Sequence, residues 1–145
     1  MFRFRFETIL KVRKIRQDMA SMALAVSSRH LKGLEDKKEA CQKEISRLNS
    51  ELVSRMQEGL RSMEITMFRD YSSYLGQQVS SLDKEIIEAQ KKVDEARDVF
   101  LKAKKQLRAM ERLEDIDQKE YDEEQMKIQM RFMDEIAISR QRRIQ

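Results

Sequence analysis

The chain has 145 residues, a formal net charge of +4, and 39% Asp, Glu, Lys and Arg, against roughly 25% in an ordinary globular domain. It contains no proline and three glycines, although the turns of a sheet protein draw heavily on both residues. This composition excludes a barrel, a sandwich or a compact α/β domain, and a hydrophobic content of 40% is too high for a disordered tail. It predicts long amphipathic helices.

Charge is distributed unevenly along the chain. Residues 1–16 carry six basic side chains and one acid, whereas residues 111–124 carry eight acids and two basic side chains. These opposite blocks near the two termini attract each other if the chain doubles back. Because exposed ion pairs contribute only about 0–1 kcal/mol each, this is modest support for a hairpin.

Membrane insertion and disulfide chemistry are not expected. The single cysteine, Cys41, has no partner for an internal disulfide or a cysteine-based metal site. The longest uncharged stretch, Tyr71 to Leu82, is shorter than the about 20 residues that span a bilayer. The opening alternates Arg with Phe, which is not a secretory signal. We expect a soluble intracellular protein.

The first arm of the expected hairpin, residues 4–58, carries heptads in two registers. Val12, Ile15, Met19, Met22 and Val26 form the first register. Leu34, Lys38, Cys41, Ile45, Leu48 and Leu52 form the second. The step through His30 between them is a stutter, which locally unwinds a supercoil.

Residues 59–70 are the expected tip, with Gly59 as a helix stop and Ser62 or Asp70 as caps. The chain is then a single all-α domain over 1–145, a long antiparallel two-helix coiled-coil hairpin. Setting Leu52 opposite Val79 predicts a register in which paired residue numbers add up to 131.

The second arm, residues 71–140, carries the clearest pattern. Its apolar seam steps by four and three throughout: Leu75, Val79, Leu82, Ile86, Ala89, Val93, Ala96, Phe100, Ala103, Leu107 and Met110. This period predicts a left-handed coiled coil. The alanines, seven residues apart, permit close approach of the first arm, or are there because alanine favours helix.

Catalytic chemistry is not expected. Three isolated glycines form no phosphate loop, and His30 and Cys41, the candidates for nucleophilic catalysis, both fall on the predicted seam. The carboxylates lie on solvated faces, where nothing separates their pKa values. We expect no enzyme, cofactor, metal site or small-molecule ligand, and the small Arg3, Arg5 and Arg13 cluster does not support nucleic-acid binding.

Two apolar groups are candidates for partner binding. Tyr71 and Tyr74 lie in the uncharged stretch, where they form a partner surface or cap the seam above Leu75. Met126, Met130 and Met133 lie at helical spacing near or beyond residue 127, where the predicted first arm ends. They need a partner, unless Phe2, Phe4 and Phe6 fold over them or the hairpin slips.

Three segments together resemble the flagellar FliJ proteins of the bacterial type III export apparatus. They are the opening from Phe4 to Arg13, the aromatic step Tyr71-Ser72-Ser73-Tyr74-Leu75, and the ending, in which Tyr121 in an acidic stretch is followed by Met133-Asp134-Glu135-Ile136-Ala137. The tip and the stutter are not matched. The resemblance covers essentially the whole chain.

The resemblance implies a non-enzymatic coiled-coil stalk that inserts in the hexameric export ATPase ring, promotes its assembly and activity, and contacts the membrane export gate and export chaperones. It implies a cytoplasmic protein, peripheral at the inner membrane, that serves flagellum biogenesis, motility and chemotaxis. Ring contacts are expected from Phe4, Arg5, Phe6, Arg13, Met126, Met130, Met133, Asp134 and Glu135, and gate contacts from Tyr71 and Tyr74. The alternative is a generic coiled-coil scaffold or dimerisation protein.

Overall fold

The computed structural model describes residues 1–144, which form two helices: α1 over Glu7–Glu58 and α2 over Ser62–Ile144. No residue in this described range is in a strand. The expected all-α fold of two long helices packed against each other is confirmed. The helices contribute to two compact units. We call Ala20–Phe100 the hairpin unit, and Met1–Met19 together with α2 from Leu101 onward the terminal unit.

The connection between the helices is much shorter than predicted. Gly59 has φ 93°, in the left-handed region that favours glycine, and follows Glu58 at the end of α1. The Arg61 carbonyl already accepts hydrogen bonds from the Glu64 and Ile65 amides. The expected tip over 59–70 is therefore reduced to three residues.

The early start of α2 has a packing reason. Ile65 and Phe68 are half-buried at i and i+3, and Ser72 and Leu75 continue the same row, so helix through this segment gains contact with α1. Ser62 is consequently the first helical residue, and Asp70 lies inside α2.

The seam of α2 is buried along its length. All eleven positions from Leu75 to Met110 that carry the heptad pattern are buried or half-buried. Ala89 and Val93, in the hairpin unit, are the least exposed, at 3% each. Close packing at Ala89 leaves little space there for a larger side chain.

The seam of α1 differs from the prediction. A single row of buried or half-buried positions steps by three and four without a stutter: Leu10, Arg13, Gln17, Ala20, Leu24, Ser27, Leu31, Leu34, Lys38, Cys41, Ile45, Leu48 and Leu52. The predicted first register is wrong, because Val12, Ile15, Met19, Met22 and Val26 are all exposed, as is His30. Packed heptad helices share a period, so the unbroken seam of α2 goes with an unbroken row in α1.

The predicted pairing register is also wrong. In the hairpin unit the Lys38 ammonium lies 2.6 Å from the Asp83 carboxylate, and in the terminal unit Arg13 donates a hydrogen bond to the carbonyl of Gln106 at 3.0 Å. The residue numbers of these pairs add up to 121 and 119, not 131. The short connection after Gly59 causes the shift, because each residue removed from a turn moves the partner helix along the first.

Candidate functional site

Phe4 lies in the core of the terminal unit. It is 7% exposed and packs with Leu10 and Leu107, and its ring meets that of Phe6 edge-on with centroids 5.7 Å apart. The segment turns into α1 here, since the amides of Glu7 and Leu10 donate hydrogen bonds to the carbonyls of Phe4 and Phe6. Phe4 and Phe6 therefore pack within their own chain.

Arg5 and Arg13 also bind within the chain. The Arg5 guanidinium lies 3.6 Å from the carboxylate of Asp117 and 4.9 Å from the centroid of the Phe6 ring. Arg13 donates its hydrogen bond to the Gln106 carbonyl on α2. Both side chains thus attach the start of α1 to α2, and the Arg5–Asp117 pair joins the basic and acidic blocks of the sequence.

The part of α2 covered by α1 and the residues before it ends at Tyr121. The N-terminal ammonium hydrogen-bonds the Tyr121 hydroxyl at 3.2 Å, and the Phe2 ring packs on the Tyr121 ring at 5.5 Å. Among the described residues after Tyr121, only Ile136 is even half-buried. We call residues 122–144 the C-terminal segment. It begins about five residues earlier than the sequence predicted, because of the shifted register.

The C-terminal segment exposes an apolar row. Met126, Met130 and Met133 are 63–65% exposed, and Ala137 continues the same spacing. We call these four residues the methionine stripe. The three methionines line a shallow groove together with Gln129 and Asp134. Glu135, the other acidic residue predicted at the ring contact, is exposed but lies on the opposite side of α2.

The methionine stripe lies on the side of α2 that faces away from α1. The heptad row that contacts α1 passes through Leu107, Met110 and Tyr121. Its continuation in the C-terminal segment is mainly charged: Glu124, Ile128, Arg131 and Glu135. The stripe is displaced from this row by two residues, which is about 200° around a helix. The Phe2, Phe4 and Phe6 side chains therefore do not cover it.

A second exposed apolar surface lies in the hairpin unit. Tyr71 and Tyr74 are exposed and stack on each other, with ring centroids 6.4 Å apart and ring planes 17° apart. Tyr71 also borders a small apolar depression formed with Leu48, Met67 and Phe68. Neither tyrosine lies in the seam row, but Tyr71 borders its edge at Leu48 and Phe68.

The exposed apolar surface at Tyr71 and Tyr74 extends toward the start of α2, which the sequence analysis does not predict. Met63 and Met67 are strongly exposed on the same helix, at 78% and 68%. With Tyr71 and Tyr74 they occupy positions i, i+4, i+8 and i+11, a spacing that also keeps side chains on one side of a helix. The sequence pattern does not single out these two methionines, because it places them in the expected tip.

The polar groups form no reactive cluster in residues 1–144. No group of three or more His, Cys, Asp or Glu side chains in that range is placed to hold a metal ion. Cys41 is a half-buried free thiol. The pKa of Glu44 is below its usual value because Arg47 donates hydrogen bonds to it, but this is a surface pair one helical turn apart.

Hydropathy is low along both described helices. Neither α1 nor α2, over the range that the structure describes, has a stretch long and apolar enough to cross a membrane.

Comparison with known proteins identifies one family. The family model described as "Flagellar FliJ protein" matches residues 1–145, from the first residue of the chain to the last. No curated protein and no solved structure matches the chain.

Proposed function

The chain belongs to the flagellar FliJ family, and from this membership we propose that it is a non-enzymatic coiled-coil stalk of the flagellar type III protein export apparatus. The family places it among the components of flagellar protein export. Its two long helices, joined by an extended heptad seam, support a mechanical role, because a stalk needs stiffness and a shaped outer surface.

The methionine stripe is the proposed docking surface for the hexameric export ATPase ring. The observation that carries this proposal is the strong exposure of Met126, Met130 and Met133 on a part of α2 that α1 does not cover. Methionine suits the role because its unbranched side chain repacks easily against different surfaces. Asp134 lies at the edge of the stripe and supplies charge, whereas Glu135, about 200° around the helix, lies outside this contact surface.

The basic and aromatic residues at the start of the chain have a supporting part in this proposal. Phe4 and Phe6 pack against α2, and Arg5 and Arg13 bind Asp117 and the Gln106 carbonyl. These four residues hold the start of the chain against the part of α2 that precedes the C-terminal segment. The methionine stripe makes the contact with the ring.

The second proposed contact is between the hairpin unit and the membrane-embedded export gate. Tyr71 and Tyr74 offer two exposed, stacked rings on a protein whose surface is otherwise densely charged. Tyrosine is enriched at binding hot spots because it buries a large area with few rotamers. We also propose contacts with export chaperones and a position at the cytoplasmic face of the inner membrane, both supported only by family membership.

A binding and activity assay tests the proposal. The purified chain is mixed with the purified hexameric export ATPase, and both co-elution and the rate of ATP hydrolysis are measured. We expect the chain to co-elute with the ring and to raise its hydrolysis rate. A chain that neither co-elutes nor changes the rate is a generic scaffold, and the stalk function is then wrong.

A further inference from the structure

The C-terminal segment is complementary to itself. Its first residues are acidic, with Asp122, Glu123 and Glu124, and its last are basic, with Arg140, Arg142 and Arg143. The methionine stripe runs between these two ends and is exposed throughout. A helix with an exposed apolar row and opposite charges at its ends matches a second copy of itself running in the opposite direction.

We propose that the C-terminal segments of two copies pair antiparallel through the methionine stripe. One register aligns the stripe on itself: Met130 faces the second copy's Met133, and Met126 faces the second copy's Ala137. Such a two-fold contact is isologous, so each pairing occurs twice and the interface closes at two chains.

The same register brings opposite charges together. Glu123 faces the second copy's Arg140, in line with the stripe. Along its two edges, Lys127 faces the second copy's Asp134 and Asp122 faces the second copy's Arg143. Each residue of these pairs is exposed in the single chain. Each surface ion pair is weak. The three pairs each occur twice, and six ion pairs that are all of opposite charge in one register fix the orientation and the register of the two helices.

A parallel arrangement of the two C-terminal segments does not pair opposite charges. It places Glu123 against the second copy's Glu123 and Arg140 against the second copy's Arg140, with like charges in line with the stripe. Like charges in direct contact disfavour an arrangement. The charges therefore select the antiparallel form.

The fold leaves room for the second helix. The stripe is about 200° around α2 from the row that contacts α1, so a partner helix on the stripe approaches from the side opposite the Phe2–Tyr121 contact. The pairing then requires no change in the terminal unit.

Self-pairing needs no role in protein export, but it would affect such a role. Self-pairing covers Met130 and Met133, the residues proposed to meet the ATPase ring. A chain paired with its own copy is therefore withheld from the ring, and the balance between the two states depends on the chain's concentration.

Sedimentation velocity of the isolated chain over about 1–200 µM tests the pairing. We expect the mass to rise with concentration from 17.4 kDa toward that of two chains. Lys127→Asp and Asp134→Lys should each weaken self-association by about tenfold, because each creates like-charge contacts across the two-fold axis. Arg131→Asp, the same type of reversal on the other side of the helix, is the control and should leave it unchanged.

Mixing the two charge variants gives the decisive result. A Lys127→Asp chain and an Asp134→Lys chain restore opposite charges at both contacts, so the mixture should associate as the unaltered chain does. The double variant, with both changes in one chain, should also self-associate. A mixture no tighter than either variant alone, or an unaltered chain that stays at 17.4 kDa throughout, overturns the proposal. Circular dichroism checks that each variant is folded.

Discussion

The ring of Phe2 packs on the ring of Tyr121 with centroids 5.5 Å apart, and the Tyr121 hydroxyl hydrogen-bonds the N-terminal ammonium. This contact marks the point where the segment that precedes α1 stops covering α2. On one side of it the helices share a heptad seam, and on the other side α2 continues without α1.

Replacing Tyr121 tests this contact. Tyr121→Ala should lower the free energy of unfolding by about 1–2 kcal/mol, less than for a fully buried ring because Tyr121 is half-buried. Tyr121→Phe is the control, since it keeps the ring and loses only the hydrogen bond to the ammonium. Urea unfolding followed by circular dichroism measures both. Equal losses for the two variants contradict a packing role for the ring.

Ala89 tests the close approach of the helices in the hairpin unit. Because Ala89 is only 3% exposed, Ala89→Leu should force the helices apart and destabilise the protein by about 1–3 kcal/mol. Ala40→Leu is the control, because Ala40 is exposed on α1 and a leucine side chain there extends into solvent. It should leave the free energy of unfolding nearly unchanged. Thermal melts measure the difference. A melting temperature that rises for Ala89→Leu is incompatible with tight packing there.

The methionine stripe is tested by a double substitution. Met130→Asp with Met133→Asp should abolish stimulation of the export ATPase, because two carboxylates oppose burial in an apolar contact. Since both residues are exposed in the isolated chain, the melting temperature should move by no more than about 2 °C.

The control for the stripe lies on the same segment. Ile128 is exposed on the opposite side of α2, so Ile128→Asp should leave the stimulation intact. If the double methionine variant stimulates the ATPase normally, the ring contact lies elsewhere on the chain. The same conclusion holds if Ile128→Asp loses as much stimulation as the double variant.

The stacked tyrosines are tested together. Tyr71→Ala with Tyr74→Ala should weaken binding to the export gate by at least about tenfold, as expected for loss of a hot spot. Helix content should stay the same because both rings are exposed. Binding is measured by titration with the soluble part of the gate protein. If helix content and gate binding both decrease, the two rings contribute to folding and not to recognition of the gate.

The two helices differ in how well their seams can be predicted from sequence. The α2 seam is predictable because its three-and-four spacing is apolar at every step from Leu75 to Met110, even though Val99 and Leu101 lie outside it and are exposed. The α1 seam is not, because Arg13, Gln17 and Ser27 occupy seam positions while Val12 and Ile15 lie outside. A period taken from hydrophobicity alone then selects the wrong row.

The register depended on where α2 begins. Ile65 and Phe68 belong to the packed row, but they follow Gly59 closely and were assigned to the tip. Their burial requires α1 as a partner, which no local pattern specifies. For the candidate site, the spacing of Met126, Met130 and Met133 is sufficient to find an exposed stripe, whereas Leu107 as the partner that buries Phe4 is identified only by the fold.

The uninterrupted C-terminal part of α2 has a mechanical consequence. Neither glycine nor proline occurs between Tyr121 and Ile144, and sharp bends in helices almost always need such residues or an inserted group. The terminal unit therefore has no built-in hinge between the Phe2–Tyr121 contact and the methionine stripe. Torque applied to the packed helices at Tyr121 is therefore transmitted to Met133 through one continuous helix.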